Sequence, residues 1–311
     1  MEPSTRSIRA RSASSHRPHM STERVVFEVD GDSVVGRLFL PEGAGPHPAI
    51  VIDGPMTSVK EQASGNYARA LAARGFVTLA IDHRFFGESG GRARQYESPP
   101  KKIEDLHRAL DVLAARPEVD ATRLAVVGVC AGAGYAASVV AGDARVKAFG
   151  AVAGFFHDAA QQRAWMGESY DRALAEAHDA RRRFEQTGEV ITIPAVGREG
   201  PVAMPLAEAF EYYGTPRGAV PSYVNALAVM SRADTLPYDA MSAAPRIRVP
   251  TLVVHSDHAL APKLAQKFIA SLGGPVDVCW VESKGQIDFY DDPARIEPAC
   301  DRLAAFFTDC T

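Results

Sequence analysis

The 311-residue sequence predicts an α/β fold in which helices flank a mostly parallel, eight-stranded sheet. Three observations predict it. Short β-rich runs alternate with stretches whose apolar residues recur at three-to-four spacing. One strand-to-helix junction is glycine-rich, Gly128-Val129-Cys130-Ala131-Gly132. The alternation also stops for residues 155–245 and then resumes.

In chain order, Val25–Val29 and Val34–Leu40 flank Asp30-Gly31-Asp32. Asp-Gly between apolar alternations signals a hairpin. Further strands are expected at Ala49–Ile52, Val77–Ile81, Leu124–Val129, Ala148–Ala153, Thr251–His255 and Val276–Val281. Helices are expected at about Gln62–Arg74, Ile103–Ala115, Ala131–Ala141, Pro262–Leu272 and Pro293–Phe307. Residues 155–245 carry helix-like pieces broken by Pro194, Pro201, Pro205, Pro216, Pro221 and Pro237. They are read as a helical cap inserted after the sixth strand, over the carboxyl edge where open α/β sheets place their sites. The core is then residues 21–154 and 246–311. Residues 1–20, rich in Ser and Arg, are read as a disordered arm or tag, with Met20 as an alternative start.

Composition narrows the function. From residue 21 onward 30 basic residues face 37 acidic ones, so no basic footprint for nucleic acid is present. Four cysteines are too few for a disulfide framework, which points to a reducing, cytoplasmic compartment. Leu124 to Gly142 carries no charge, but its glycines and internal turn signal fit a buried strand and packed helix rather than a membrane span.

The Gly128–Gly132 junction has the form of a nucleophile elbow, with Cys130 on a strained turn between two glycines that leave it room. A glycine-rich turn around a buried structural Cys has the same five residues. In the elbow reading, the following helix N-terminus lowers the thiol pKa and aims its N–H groups at a developing oxyanion. Such an elbow needs an acid after a later strand and a histidine after the last one. Asp257 follows the strand Thr251–His255 and fits the acid position. The base segment reads Glu282-Ser283-Lys284-Gly285-Gln286-Ile287-Asp288-Phe289-Tyr290, with Gln286 where the histidine belongs. Glutamine donates and accepts hydrogen bonds but takes up no proton.

With these residues in view, the chain resembles an α/β-hydrolase of the dienelactone hydrolase-like group, close to the polyketide transferase-like enzymes with a cysteine elbow. The resemblance is carried by Gly54 to Gln62, Asp82-His83-Arg84-Phe85-Phe86-Gly87-Glu88-Ser89, Gly128 to Tyr135, Tyr212-Tyr213-Gly214-Thr215 and Gly285 to Asp291. It implies the α/β-hydrolase fold, Cys130 as nucleophile and Asp257 as triad acid. It also implies an oxyanion hole made by the Ala131 N–H and one N–H from the loop after the third strand. Pro55 has no N–H, so Met56 or Thr57 must supply that second donor. The implied chemistry is natural-product tailoring on a small acyl thioester, ester or lactone, free or on a carrier protein, with no cofactor, metal or membrane. A homodimer is compatible with it.

The departure at Gln286 has a calculable consequence. A positioned base contributes roughly 10²–10⁴-fold. A cysteine already carries some thiolate at neutral pH, so acyl capture is expected to survive while water activation does not. Transfer to an amine or hydroxyl, or ring closure within the substrate, is then favoured over hydrolysis. A non-covalent cyclase, isomerase or binding role is the alternative, separated by an adduct at Cys130. His255, His258, His83 and His157 are candidate substitutes for the base, with His258 foremost, and each also reads as a structural or surface histidine. Lys60 and Glu61 lie on the oxyanion side, where the Glu61 carboxylate could assist the thiol or form an ion pair with Arg84, and Cys279 reads as core. Phe155, Phe156, Trp165, Tyr212, Tyr213 and Tyr223 could line an apolar acyl pocket or pack the cap core.

Overall fold

The structure, a computed structural model, describes residues 20–310. The arm expected at 1–20 lies, apart from Met20, outside the described residues. β1 (Ser21–Val29) and β2 (Asp32–Leu40) pair antiparallel around Asp30-Gly31. Both turn residues have positive φ, 52° and 84°, the conformation that a two-residue hairpin turn matched to strand twist requires.

β3 (His47–Asp53), α1 (Ala63–Ala72), β4 (Val77–Asp82), α2 (Pro99–Ala114), β5 (Val119–Val129), α3 (Gly132–Val140) and β6 (Val146–Val152) then alternate. The next segment holds α4 (Ala159–Met166), α5 (Ser169–Thr187), β7 (Thr192–Ile193), α6 (Ala207–Tyr213), β8 (Leu227–Ala228) and α7 (Arg232–Thr235). The chain returns to the sheet with β9 (Thr251–His255), α8 (Pro262–Ser271), β10 (Val276–Trp280), α9 (Asp288–Asp291) and α10 (Pro293–Cys310). One sheet takes eight strands in the order β1-β2-β4-β3-β5-β6-β9-β10. Within this sheet β2 pairs antiparallel with β1 and β4 and the other pairs are parallel, while β7 and β8 pair antiparallel on their own.

Strands β4 and β9 are buried at every residue, as strands covered by helices on both faces must be. That burial explains why they read as continuous apolar runs rather than alternations. β10 closes the sheet and is half-exposed, so Cys279 is a half-buried edge residue rather than the core residue expected. The uncharged run from Leu124 divides between β5 and α3, and no helix among the described residues is long and apolar enough to cross a membrane.

A buried ionic layer ties the loops after β3 and β4 to α2. His83 lies between two carboxylates, with Nε2 2.9 Å from Asp53 Oδ1 and Nδ1 3.1 Å from Asp105 Oδ2. Arg84 donates to Asp105 through its backbone N–H and Nε, at 2.9 and 2.6 Å. Lys60 Nζ pairs with Asp82 at 2.7 Å and with Glu61 at 2.8 Å. Glu61 is therefore the partner of Lys60, not of Arg84, whose guanidinium is taken by Asp30, Glu104 and Asp105. Buried charges are tolerable only when paired in this way, and the pairing fixes the loops on which the site is built.

Candidate active site

Strand β5 runs apolar and buried into Gly128-Val129, and α3 opens at Gly132. Cys130 stands between them with φ +56°, a left-handed conformation that costs a non-glycine residue free energy and persists where its surroundings impose it. Its N–H donates to Val152 O at 3.1 Å, and its carbonyl accepts from Ala133 and Phe155 N–H at 3.0 and 2.8 Å. A Cβ on Gly128 would lie 2.4 Å from Ala133 Cα, and one on Gly132 would lie 2.5 Å from Gly54 O. Glycine at both positions lets strand, helix and the loop after β3 converge on the cysteine.

Cys130 opens into a cavity of about 450 Å³, the size of a small-molecule site. Met56, Ala131, Gln286, Ile287 and Tyr290 line it from the sheet side, and Phe155, Met204, Leu206, Tyr213 and Leu236 from the segment between β6 and β9. Cys130 is 7% exposed. Burial pushes its pKa up, against the Tyr290 hydroxyl, the Ala131 N–H and the Gln286 amide, which favour the thiolate. The lowered thiol pKa expected from the helix N-terminus is corrected accordingly, because desolvation of the enclosed sulfur outweighs those donors.

Gln286 lies in the same cavity with both ends of its carboxamide engaged. Nε2 donates to Ala153 O at 2.8 Å, and Oε1 accepts from Leu260 N–H at 2.8 Å. The amide thus bridges the end of β6 to the loop after β9 and stays beside the sulfur. The structure does not bring Asp257 there. Its side chain is exposed on the edge, and Oδ1 accepts from Trp280 Nε1 at 3.0 Å. The physical reason is plain: both ends of Gln286 are held by backbone, so nothing in that slot donates to a carboxylate, and an indole N–H does.

Of the two candidate second donors for an oxyanion, Thr57 is excluded. Its N–H donates to Glu97 Oε2 at 3.1 Å. Met56 N–H and Ala131 N–H have no oxygen partner among the described residues, and both residues line the cavity. Glu97 is fully buried, accepts from Tyr135 Oη at 2.9 Å and pairs with Lys102 at 2.8 Å. That carboxylate holds Thr57 at φ +62° and so sets the direction of the preceding Met56 peptide.

The aromatic residues divide in a way their spacing did not reveal. Phe155 lines the cavity. Phe156 turns the other way and stacks on Phe268 at 3.8 Å. Trp165 is 55% exposed, because α4 buries no residue. Tyr212 and Tyr223 form a layer behind the wall, packing on Tyr213 at 4.8 and 5.2 Å. Among the histidines, His258 is exposed, while His255 is buried with its ring nitrogens 3.0 Å from Ser256 O and 3.3 Å from Gly154 O. His157 does line the cavity. Burial and the charge of Lys102 push its pKa down to about 3, which leaves a neutral imidazole too weak for a base at neutral pH.

Sequence reasoning passed over Glu208, which lines the cavity from α6. Its carboxylate accepts from Ile287 N–H at 3.4 Å and from Gln286 N–H. The available signal was its place four residues before Tyr212 of the Tyr-Tyr-Gly-Thr motif, on the same helical face. Tyr290, whose hydroxyl meets the Cys130 sulfur, stood inside the base segment but was not singled out.

Comparison with known proteins bears on this geometry. A family model described as esterase FrsA-like matches residues 5–175. The uncharacterized protein PA2218 of Pseudomonas aeruginosa is 33% identical over 90% of this chain and 78% of its own. YcjY of Escherichia coli, also named uncharacterized, is 33% identical over 84% and 88%. The polyketide transferase claH of Penicillium crustosum is 34% identical over 40% of this chain and 42% of its own. The crystal structure of PA2218 superposes with a TM-score of 0.81 over 94% of each chain at 31% identity. The α/β hydrolase GrgF from a Penicillium species gives 0.79 over 93% of this chain and 99% of its own at 21%, a likeness of fold.

Proposed function

Since the chain belongs to the FrsA-like esterase family of α/β hydrolases, we propose that it is an acyl-transferring enzyme. In this reading Cys130 captures the acyl group of a thioester, ester or lactone and hands it to an alcohol, an amine or a nucleophile within the substrate. The observation that carries the proposal is the elbow itself. A cysteine held at φ +56° opens into an apolar cavity beside two N–H groups with no oxygen partner among the described residues.

The steps follow from the residues. The apolar wall from Phe155, Met204, Leu206 and Leu236 takes the acyl chain. The carbonyl oxygen lies toward Met56 N–H and Ala131 N–H, which stabilise the negative charge of the tetrahedral adduct in a site with little water. Gln286 offers no imidazole, and the apolar wall holds water poorly beside the sulfur, so the acyl-enzyme persists until an acceptor that packs on that wall arrives. The claH name is consistent with such chemistry.

The proposal is tested by intact-mass measurement after exposure to a panel of acyl N-acetylcysteamine thioesters. A mass increase equal to the acyl group, mapped to Cys130 and absent in Cys130→Ala, is expected. Turnover or tight binding with no adduct at any time point would instead favour the non-covalent cyclase or binding role.

A further inference from the structure

Resting on that reading of Cys130, we propose that Glu208 does the proton transfers that a histidine would otherwise do, and is a catalytic residue of this site. Three observations converge. Glu208 and Cys130 line one cavity, and the carboxylate is close enough for its charge to act on the thiol. The carboxylate is anchored by backbone N–H groups of residues 286 and 287, so it sits on the turn that carries Gln286. It is lodged tightly, since a Cβ on Gly285 would lie 2.2 Å from its Oε2.

The electrostatics make a base necessary and Glu208 suitable. Burial raises the Cys130 pKa, so the resting site holds a thiol, and the proton must leave as the carbon–sulfur bond forms. Burial also raises the Glu208 pKa, opposed by the N–H groups of Ile287 and Gln286 and by Arg217, and assisted by Asp288. A carboxylate with raised pKa is a better proton acceptor than an exposed one. The other titratable groups facing the cavity fit this role less well. His157 is too weakly basic, and burial holds the Tyr213 and Tyr290 hydroxyls protonated.

The step balances without an added reagent. As sulfur bonds to the acyl carbon, the thiol proton passes to Glu208, directly or through one water, and the carbonyl π electrons move onto oxygen. On collapse the bond to the leaving thiol or alcohol breaks, and Glu208 returns the proton to that group. In the second half an acceptor seated on the apolar wall, where water is poorly held, gives its O–H or N–H proton to Glu208 as its oxygen or nitrogen bonds to the acyl carbon. The bond to Cys130 then breaks, and the sulfur takes the proton back.

The experiment compares two reactions of the same thiol in wild type and Glu208→Gln. Both reactions start from the thiolate, but thioester acylation also needs a proton returned to the leaving thiol, while iodide leaves from iodoacetamide unprotonated. In the variant, acylation of Cys130 is expected to fall roughly 10²–10⁴-fold. Alkylation of Cys130 is expected to hold or rise, because a nearby negative charge that opposes the thiolate has gone. Equal acylation rates in the two proteins would overturn the proposal. So would a parallel fall in both reactions, since that would make Glu208 only a support for the Gln286 turn. A second arm uses Glu208→Ala with added formate or acetate. Concentration-dependent recovery of acylation supports a proton-transfer role, and no recovery contradicts it. If wild type takes up no acyl group at Cys130, the nucleophile assignment itself fails, a result separable from failure of Glu208 alone.

Discussion

Gln286 concentrates the chemistry of the site in one carboxamide. Its two ends are satisfied by Ala153 O and Leu260 N–H, so Gln286→His must give up at least one of those bonds. An unsatisfied buried group costs about 1–3 kcal/mol. The new imidazole would also lack a carboxylate, because Asp257 faces Trp280. Hydrolysis of simple thioesters in Gln286→His is therefore expected to rise toward the low end of a base's contribution, roughly 10²-fold, as an assay of free thiol would read. Asp257→Asn is expected to leave turnover within about twofold of wild type in either background, since a rim change away from the reacting atoms removes no transition-state contact. Burial has a second consequence at this scale. Cys130 is enclosed while Cys279 is half-exposed on the edge strand, so peptide mapping of the resting protein should find iodoacetamide on Cys279 before Cys130. This reverses the order the elbow motif suggests when read without its surroundings.

At the scale of elements, the core was legible and the segment over the site was not. β3, β4, β5, β6 and β9 declared themselves as apolar runs because both faces of each are covered, and Asp-Gly named the hairpin. The elbow was legible because close approach at Gly128 and Gly132 excludes any side chain. Between β6 and β9 no such rule applied. Short helices bury small faces there, and Phe155 and Phe156, neighbours in sequence, point into the cavity and into the core. The position of Asp257 was illegible for another reason: a triad acid is recognised by its histidine, and here that partner is missing. Glu97 was equally hidden, although it joins three elements through Thr57, Tyr135 and Lys102. Glu97→Ala would leave Lys102 buried without its partner and is expected to cost about 3–5 kcal/mol of stability, measured by denaturant unfolding. The same variant should slow acylation of Cys130, because the loop that directs Met56 loses its clamp.

For the whole molecule, buried titratable groups set the response to pH. His157 is held neutral by burial and by Lys102, with its pKa pushed down to about 3, whereas an ordinary histidine titrates at 6.5. The unfolded chain therefore binds a proton at this residue where the folded one does not. Its contribution is fully present above pH 6.5 and is lost progressively as pH falls toward 3. Unfolding midpoints should drop between pH 7 and pH 5, and His157→Phe, which keeps a ring against Tyr135, should lessen that drop. An equal drop in the variant would place the acid sensitivity elsewhere. The central claim is that the fold presents Cys130 for acyl capture in an apolar cavity that admits a packed acceptor in preference to water. The most direct measurement is the lifetime of the Cys130 acyl adduct, followed by intact mass after excess thioester is removed. In buffer alone the adduct should persist, and an added small amine or alcohol should discharge it into the corresponding amide or ester. Rapid loss to free acid in buffer, unaffected by the added acceptor, would contradict the account and make the protein an ordinary hydrolase.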